Sequence, residues 1–457
     1  MELFGPENER SRSAVMSLAE AVRRAGGRAL LVGGCVRDAL LGRRPGDFDV
    51  ECYGLGGEEL LRVLAERFEL DLVGESFGVV KLKHLDIDVA LPRRETKLGL
   101  GHRAFAMECD GSLSVEEASA RRDFTVNAIY ADPLDGTVLD PWNGSDDLRR
   151  RILRHVSEHF REDPLRVLRG MQFAARFCLV PASETVAICR GMESEGLPCE
   201  RLFGEWEKLL VKGELISAGL GFLRSTGWVR YYPELERLIG CRQDKEWHPE
   251  GDVWNHTLIS LDAFAARRGE ETARENLIVG LAVLCHDFGK PDTTSFDPVR
   301  RRIRSLGHDE AGVRPTVSFL RRLTNEERIL KEVPPLVRLH MRPYALWRNG
   351  CGDAAIRRLA AEVGRIDRLV RVEVADNGVR DGELPEFCRW LLERADRLRI
   401  LDSAPEPILK GRHLIAEGMK PGPEFGKILE KAYDAQLEGD FSDLEGALSC
   451  LRSLVGR

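Results

Sequence analysis

No stretch of this 457-residue chain approaches 18 consecutive apolar residues, so nothing in it reads as a transmembrane helix. The opening Met1-Glu2-Leu3-Phe4-Gly5-Pro6 lacks the basic-then-apolar pattern of a secretory leader, and a cytoplasmic location is the expectation. The 11 cysteines stand singly with no Cys-x-x-Cys pair, which argues against a zinc ribbon and a disulfide framework. An excess of positive charge is missing too: the formal net charge is −7, unlike a generally basic nucleic-acid binder. Internal repeats and low-complexity tracts are not evident. What remains, 43% apolar and 31% charged residues, is ordinary globular material. At roughly 100–200 residues per domain it should divide into two to four domains.

The most informative run is Gly33-Gly34-Cys35-Val36-Arg37-Asp38, followed closely by Asp47-Phe48-Asp49. Leu30-Leu31-Val32 before it reads as a short buried strand, and the two glycines let the backbone turn and approach a ligand closely. That arrangement suits a nucleotide phosphate. Period-two geometry puts Asp47 and Asp49 on one strand face and Phe48 on the other, toward a core. Two such carboxylates can hold Mg²⁺ against a triphosphate. Either fragment alone is commonplace; joined at this spacing they are far more specific.

The first third alternates strand and helix. Residues 12–25 carry Val15, Leu18, Ala19 and Val22 at helical spacing, and 58–68 carry Leu60, Leu61 and Leu64 in the same way. Val79–Leu82 and Leu85–Leu91 predict a hairpin with Asp86 and Asp88 on one face. Asp88 is the better candidate for a third carboxylate beside Asp47 and Asp49, although a plain exposed strand aspartate fits the pattern equally well. Lys97 to Gly111 reads as a loop because of its glycines and polar residues.

Downstream lie Arg121-Arg122-Asp123-Phe124-Thr125-Val126-Asn127-Ala128, suited to ribose and phosphate contacts, and Asp135-Gly136, a turn between strands. In Glu162-Asp163-Pro164-Leu165-Arg166, Pro164 suits the first turn of a helix continuing through Phe177. A spacing of three puts Asp163 and Arg166 on one helix face, where they would read a base edge or form an intrahelical ion pair. Between Leu148 and Arg176 eight arginines face three acids, a local basic surface for a polyanion or a solvated helix face.

Taken in order, GGxVRD, DxD, RRDFTxNA, DxxxGxxxD and EDPxRxLR closely resemble the bacterial class II tRNA nucleotidyltransferases, the CCA-adding enzymes, and their poly(A) polymerase relatives. The resemblance implies an α+β chain. It would comprise a polymerase-beta-like head of mixed sheet and helices over 1–145, a helical neck and body over 146–240 that binds the nucleotide base and RNA, and further helical regions. Asp47 and Asp49 then match the metal-binding pair of the head, with Arg37 steadying pyrophosphate through its charge or pinning the loop through Asp38. Gly33, Gly34, Arg122, Asp123 and Asn127 match nucleotide-contacting positions. Asp163, Arg166 and Arg169 fall in the motif that pairs with incoming CTP or ATP without a nucleic-acid template. Mg²⁺ and tRNA are the implied cofactor and partner. Partial variants adding only CC or only A, and a poly(A) polymerase, share these motifs.

A second constellation lies further on. Five of the ten histidines, His248, His256, His286, His308 and His340, fall within 93 residues, and His286-Asp287 ends the apolar run Leu277–Cys285. Adjacent His-Asp after a buried helix, with distant histidines and a final Asp376, can encircle one or two divalent metals. This resembles the HD phosphohydrolase superfamily, with His256, His286, Asp287 and Asp376 matching the core ligands and His308 and His340 the extra ligands of binuclear members. The resemblance implies an all-helical hydrolase domain over 241–400, holding Ni²⁺, Mn²⁺ or Co²⁺ and acting on 2′,3′-cyclic and related nucleotides. His248 would line the site. Residues 401–457, with Lys410, Arg412 and Lys420, resemble the helical tail of such enzymes. Two other classes, an HD hydrolase whose head only binds RNA and a noncatalytic RNA-binding protein, would leave one or both carboxylate and histidine sets idle.

Overall fold

The computed structural model describes residues 3–5, 8–71, 79–97, 105–194, 196–269, 271–379 and 381–455, the side chains of 94–97 and 105–109 excepted. The chain divides into two compact units, one of residues 1–209 and 218–228, the other of residues 210–217 and 229–457. No helix among the described residues is long and apolar enough to cross a membrane.

In the first unit α1 (Glu9–Arg24) forms because Val15, Leu18, Ala19 and Val22 line one buried face. β1 (Arg28–Val32) follows, and α2 (Gly34–Leu40) begins at Gly33, whose φ of 77° is strained for any side chain. In β2 (Phe48–Tyr53), Phe48 and Val50 point inward and Asp49 outward. α3 (Gly57–Ala65), β3 (Leu70–Asp71), β4 (Val79–Leu82) and β5 (Ile87–Ala90) complete one side of a seven-stranded sheet. β6 (Arg93–Lys97), β7 (Phe105–Cys109) and α4 (Val115–Ser119) precede its last strands, β8 (Tyr130–Ala131) and β9 (Val138–Leu139), joined by the expected turn at Asp135-Gly136. The order is β3-β4-β5-β2-β1-β8-β9, with β2 central, antiparallel to β1 and parallel to β5. Leu18, Val22, Leu31, Phe48, Val50, Ile87 and Val89 form the core beneath it.

Two expectations change. Part of the segment read as a loop from Lys97 to Gly111 is strand: β6 and β7 pair antiparallel from Arg93↔Cys109 to Lys97↔Phe105. Of the three glycines that suggested a loop, Gly99 and Gly101 lie outside the described residues and Gly111 follows β7. The second change concerns Asp163. After α5 (Gly144–Arg149) and the short β10 (Ile152–Leu153), α6 (Leu165–Phe177) starts behind Pro164 as expected, but Asp163 is extended at φ −124°, ψ 102°. Proline disfavours helical backbone in the residue before it, so Asp163 stands ahead of the helix and does not share a helical face with Arg166. β11 (Val180–Pro181) pairs in parallel with β10, and α7 (Ser183–Arg190) follows. α8 (Cys199–Lys212) and α9 (Ile216–Ser225) contribute residues to both units.

Among its described residues the second unit is helical apart from one hairpin and an isolated bridge between Arg242 and Asp252. α10 (Pro233–Glu236) leads to α11 (Val253–Ala266) and α12 (Ala273–Cys285), in which every residue from Leu277 to Cys285 is buried. A helix apolar on all sides belongs at the centre of a bundle. α13 (Lys290–Thr293) runs into the hairpin β12 (Thr294–Asp297) and β13 (Arg302–Ser305), which the helical expectation did not include. α14 (His308–Ala311), α15 (Val313–Leu323), α16 (Glu327–Leu339), α17 (Arg342–Arg348), α18 (Asp353–Val363), α19 (Ile366–Asp376) and α20 (Glu386–Arg397) follow, with α11, α16 and α19 packed on α12. α21 (Gly411–Ala416), α22 (Glu424–Glu438) and α23 (Leu444–Leu454) close around a core of their own that includes Leu414, Ala432 and Leu451.

Candidate functional site

Strand register assembles the first site. β2 carries Asp49 and Glu51 on its outward face with Asp47 just before it, and the parallel pairing to β5 sets Asp49 level with Asp88. Lys81 on β4 is level with Asp88 in turn and donates to it at 3.0 Å. A cleft of about 350 Å³ opens here, lined by Asp47, Asp49, Asp71, Asp86, Asp88 and Lys81. Asp49 is solvent-exposed, yet its carboxyl is pushed above its ordinary range, first by desolvation and further by Asp47 and Asp88, while Arg122 opposes the rise. Carboxylates gathered so that their mutual repulsion raises a pKa suit a hard divalent cation, and the oxygen-only donor set favours magnesium.

Behind the cleft a hydrogen-bonded chain fixes the glycine turn. A Cβ on Gly33 would lie 3.3 Å from Arg122 Nη1 and 3.8 Å from Asp49 Oδ2, so turn, guanidinium and carboxylate converge. One on Gly34 would lie 3.8 Å from Arg37 Nη2. Arg37 is buried; its Nη1 donates to Asn127 Oδ1 at 2.5 Å, its Nε to Asp38 Oδ1 at 2.9 Å, and its plane lies 4.2 Å from the Phe177 ring centroid. Of the two roles open to Arg37, this geometry matches pinning the loop. Asn127 Nδ2 donates to Asp123 Oδ1 at 2.9 Å, and Arg169 Nε donates to Asp123 Oδ2 at 2.7 Å. Burial alone would raise the Asp123 carboxyl, but Arg169 and the bond from Asn127 outweigh it and hold the group below its ordinary range. Arg122 donates to Tyr130 Oη at 3.2 Å and to the Asn127 carbonyl at 3.4 Å, and reaches Glu51 at 3.8 Å.

Asp163 and Arg166 stand at the start of α6. Arg166 donates to the carbonyls of His159 and Arg121, each at 2.6 Å, which fixes the plane of its guanidinium. The Asp163 carboxylate accepts from the Leu165 amide at 3.0 Å and from Arg201 at 2.9 Å. Sequence reasoning did not find Arg201 or Glu51. Glu51 had a visible signal, since it continues the Asp47, Asp49 alternation; Arg201, 38 residues from Asp163, had none.

The second site is built on helix ends. His286 and Asp287 follow α12, His308 opens α14, His340 follows α16, Asp376 ends α19, and His256 sits in the second turn of α11. His286, His308 and His340 each donate Nδ1–H to the carbonyl three residues back, at 2.7, 2.8 and 2.6 Å, which turns each Nε2 into the pocket as the nitrogen that a metal would take on displacing any proton there. Those atoms converge. His286 Nε2 is 3.4 Å from His256 Nε2 and 3.3 Å from Asp376 Oδ1, and His308 Nε2 is 3.2 Å from His340 Nε2 and 3.4 Å from Asp287 Oδ1. Two ligand groups result, His256 with His286 and Asp376, and Asp287 with His308 and His340. Asp287 also comes within 3.3 Å of His286, so it stands between the two. Both its oxygens are buried without a hydrogen bond, although Lys290 Nζ is 2.7 Å away in an orientation that makes an ion pair only. Orphaned carboxylate oxygens beside converging imidazoles fit a pair of divalent metals.

Charge in this pocket is unevenly distributed. Burial disfavours charge on His286, but Asp287 and Asp376 raise it to about 10, whereas burial and the neighbouring His286 depress His340 to about 4. Glu373, one turn before Asp376 and buried, is pushed well above its ordinary range by burial and by Asp376. Sequence reasoning missed Glu373, Lys290 and Glu250. Glu250 Oε1 accepts from Nδ1 of both His256 and His248 at 2.9 Å, placing His248 beside His256. The spacing of Glu250 two residues beyond His248 was the available signal.

Residues 29–154 match the family model described as the poly A polymerase head domain. A multifunctional CCA protein of Xanthomonas campestris pv. campestris is 33% identical over 413 residues, covering 88% of this chain and 96% of the relative. One from Stenotrophomonas maltophilia is 36% identical over 415 residues, covering 88% and 97%. Among solved structures, the Bacillus stearothermophilus CCA-adding enzyme in complex with CTP has a TM-score of 0.67 at 23% identity over 99% of each chain. The Thermotoga maritima CCA-adding enzyme complexed with tRNA has one of 0.58 at 18% identity, covering 99% of this chain and 97% of the other. These structural likenesses establish the fold.

Proposed function

This chain belongs to the multifunctional CCA protein family, and from that premise we infer how its first unit adds the CCA end to tRNA. The reaction joins the tRNA 3′ hydroxyl to the α-phosphate of CTP or ATP and releases pyrophosphate. Asp47 and Asp49, with Asp88 level beside them, would hold magnesium, which when bound neutralises triphosphate charge and lowers the pKa of the attacking hydroxyl. Gly33 lets the backbone pass close to the phosphates, and Arg122 supplies a cation beside Asp49. Arg37, Asn127, Asp123 and Arg169 position that turn. Arg166, its plane set by two carbonyls, and Asp163 select the base by hydrogen bonds to its edge.

The observation that carries this reading is the register that sets Asp49 and Asp88 side by side at the foot of the Gly33 turn. Near full-length likeness to multifunctional CCA proteins favours complete CCA addition over a CC-only, A-only or poly(A) activity. Incubation of the protein with tRNA truncated before its CCA end, with CTP alone, ATP alone and both, should give CC with CTP and CCA with both. A product that stops at CC with both nucleotides would sink the full reading. The tRNA substrate fits a cytoplasmic location.

A second activity rests on the orphaned Asp287 carboxylate between two histidine groups. His256, His286 and Asp376 would hold one divalent metal and Asp287, His308 and His340 another, Ni²⁺, Mn²⁺ or Co²⁺ being suited to imidazole-rich sites. When bound, such metals would supply Lewis acidity that activates water for phosphoester hydrolysis. The carbonyl bonds of His286, His308 and His340 keep their rings in the ligating tautomer, and Glu250 orients His256. Hydrolysis of 2′,3′-cyclic AMP should appear with at least one of these metals; its absence with all of them refutes the assignment.

A further inference from the structure

A second cavity of the helical unit opens between α11, α19 and α20, and among the described residues it shares no lining residue with the one over the histidine cluster. Its volume is about 180 Å³, and its apolar wall is made by Phe264 on α11, Val370 and Val374 on α19, and Leu384 and Leu392. An apolar cavity of about 150 Å³ takes a benzene ring, so this one has room for a single ring or a short branched chain.

The rim is cationic. Arg267 and Arg371 line both this cavity and an adjoining hollow of about 470 Å³, where Arg268 joins them. Arg268 is already engaged, donating to the Leu210 carbonyl at 2.6 Å and to the Gly213 carbonyl. Arg267 and Arg371 keep donors in reserve. Nη1 of Arg267 donates to the Gly382 carbonyl at 3.3 Å, and Nη2 of Arg371 donates to Asn276 Oδ1 and the Arg268 carbonyl, all neutral acceptors. Among the described residues no carboxylate stands within ion-pair distance of either guanidinium. Nε and Nη1 of Arg371 have no partner in the protein and are not sealed from solvent. Of the two acids on the lining, Asp367 accepts from Arg365 Nε at 3.0 Å, and Glu271 is exposed. Arg267, Arg371 and Glu271 together therefore leave one positive charge at the mouth. Burial pulls the Arg371 guanidinium below its ordinary value despite Glu271 and Asp367, and an anion beside it would reverse that.

We propose that this cavity binds a small organic carboxylate, its aryl or branched alkyl group in the slot and its carboxylate on the free donors of Arg267 and Arg371. A single net charge matches a monoanion, and the planar guanidinium fork matches a carboxylate. An apolar recess with a few convergent polar groups at its mouth fixes both the depth and the orientation of such a ligand. The binding stands apart from the hydrolase reading and does not depend on it.

Titration of the full-length protein with 4-fluorophenylacetate, followed by fluorine NMR, tests it. The acid should bind saturably with a Kd on the order of 1 mM, the strength open to so small a ligand. Binding should weaken at least about tenfold in Arg371→Met and in Arg267→Met, one lost charge-assisted contact in each case. Arg267 makes no bond to Asn276, so its variant decides the matter if Arg371→Met fails to fold, and thermal unfolding as in wild type reports the fold of each. Neutral 4-fluorobenzyl alcohol should bind at least about tenfold more weakly than the acid, and acetate at equal concentration should not displace it. Absence of saturable binding up to about 10 mM, or binding undiminished in Arg267→Met, overturns the proposal. An alcohol that binds as tightly as the acid would remove the role of the arginines, and displacement by acetate would remove that of the apolar slot; either result also overturns it.

Discussion

Replacing Asp123 by alanine should both weaken the head and slow nucleotide addition, because one carboxylate closes the chain from α6 to the glycine turn. Asp123 accepts from the Phe124 amide at 2.7 Å, from Asn127 at 2.9 Å and from Arg169 at 2.7 Å, and is 7% exposed. Removing one partner of a buried ion pair costs about 3–5 kcal/mol. The Arg169 side chain is 34% exposed, so water can reach the stranded guanidinium, and the expected loss falls to roughly 2–4 kcal/mol. Arg169→Met should cost less. The double variant should recover part of the sum, a coupling of roughly 1–3 kcal/mol.

Denaturant unfolding gives the stability of each variant, and hydrogen exchange of peptides 28–40 and 165–177 locates the loss in the first unit. Because the folded Asp123 carboxyl lies below its unfolded value of about 3.9, its stabilisation is complete above that pH and disappears as pH falls through the folded value. The gap between wild type and Asp123→Ala should therefore be constant near neutrality and close below about pH 4. With Asn127 and Arg37 loosened, the turn shifts and kcat for nucleotide addition should drop about 10- to 100-fold. Additive single losses, or exchange unchanged in peptide 28–40, would refute the reasoning.

Two further outcomes follow from the second unit. A Cβ on Gly289 would stand 2.0 Å from the His308 carbonyl and 2.6 Å from the Gly312 amide, so Gly289→Ala must displace α14. The purified variant should carry less divalent metal by elemental analysis and lose cyclic-nucleotide hydrolysis about 100-fold while keeping CCA addition. Glu275 accepts from Arg368 at 2.6 and 2.8 Å, and that bond holds its carboxyl low. Glu275→Gln should destabilise the second unit by roughly 2–4 kcal/mol near neutral pH, measured by thermal unfolding, with the difference vanishing below about pH 4.

The head was legible because its chemistry is local. The Gly33 turn, the alternation of Asp47, Phe48 and Asp49, and the hairpin bearing Asp88 are short-range patterns, and the sheet puts them where period-two geometry implies. Asp88 gained its place from a parallel pairing with β2, a long-range choice the residues themselves did not announce. Asp163 was misplaced because helical spacing was counted through a proline that bars the preceding residue from the helix. Arg169 to Asp123 and Arg201 to Asp163 are tertiary pairings without a sequence signature. At the second site the metal-ligating types were visible in order, whereas the carbonyls that set their tautomers depend on helix ends. The hairpin β12–β13 escaped notice because its strands are short and polar, with no buried face to mark them.

The most direct test of two separate metal centres is to measure CCA addition and 2′,3′-cyclic AMP hydrolysis side by side in Asp49→Asn and Asp287→Asn. Asp49→Asn should fold normally, lose nucleotide addition by about 1,000-fold or more and hydrolyse as wild type does, and Asp287→Asn should show the opposite pattern. An Asp49→Asn protein that still extends tRNA at the wild-type rate would contradict the account.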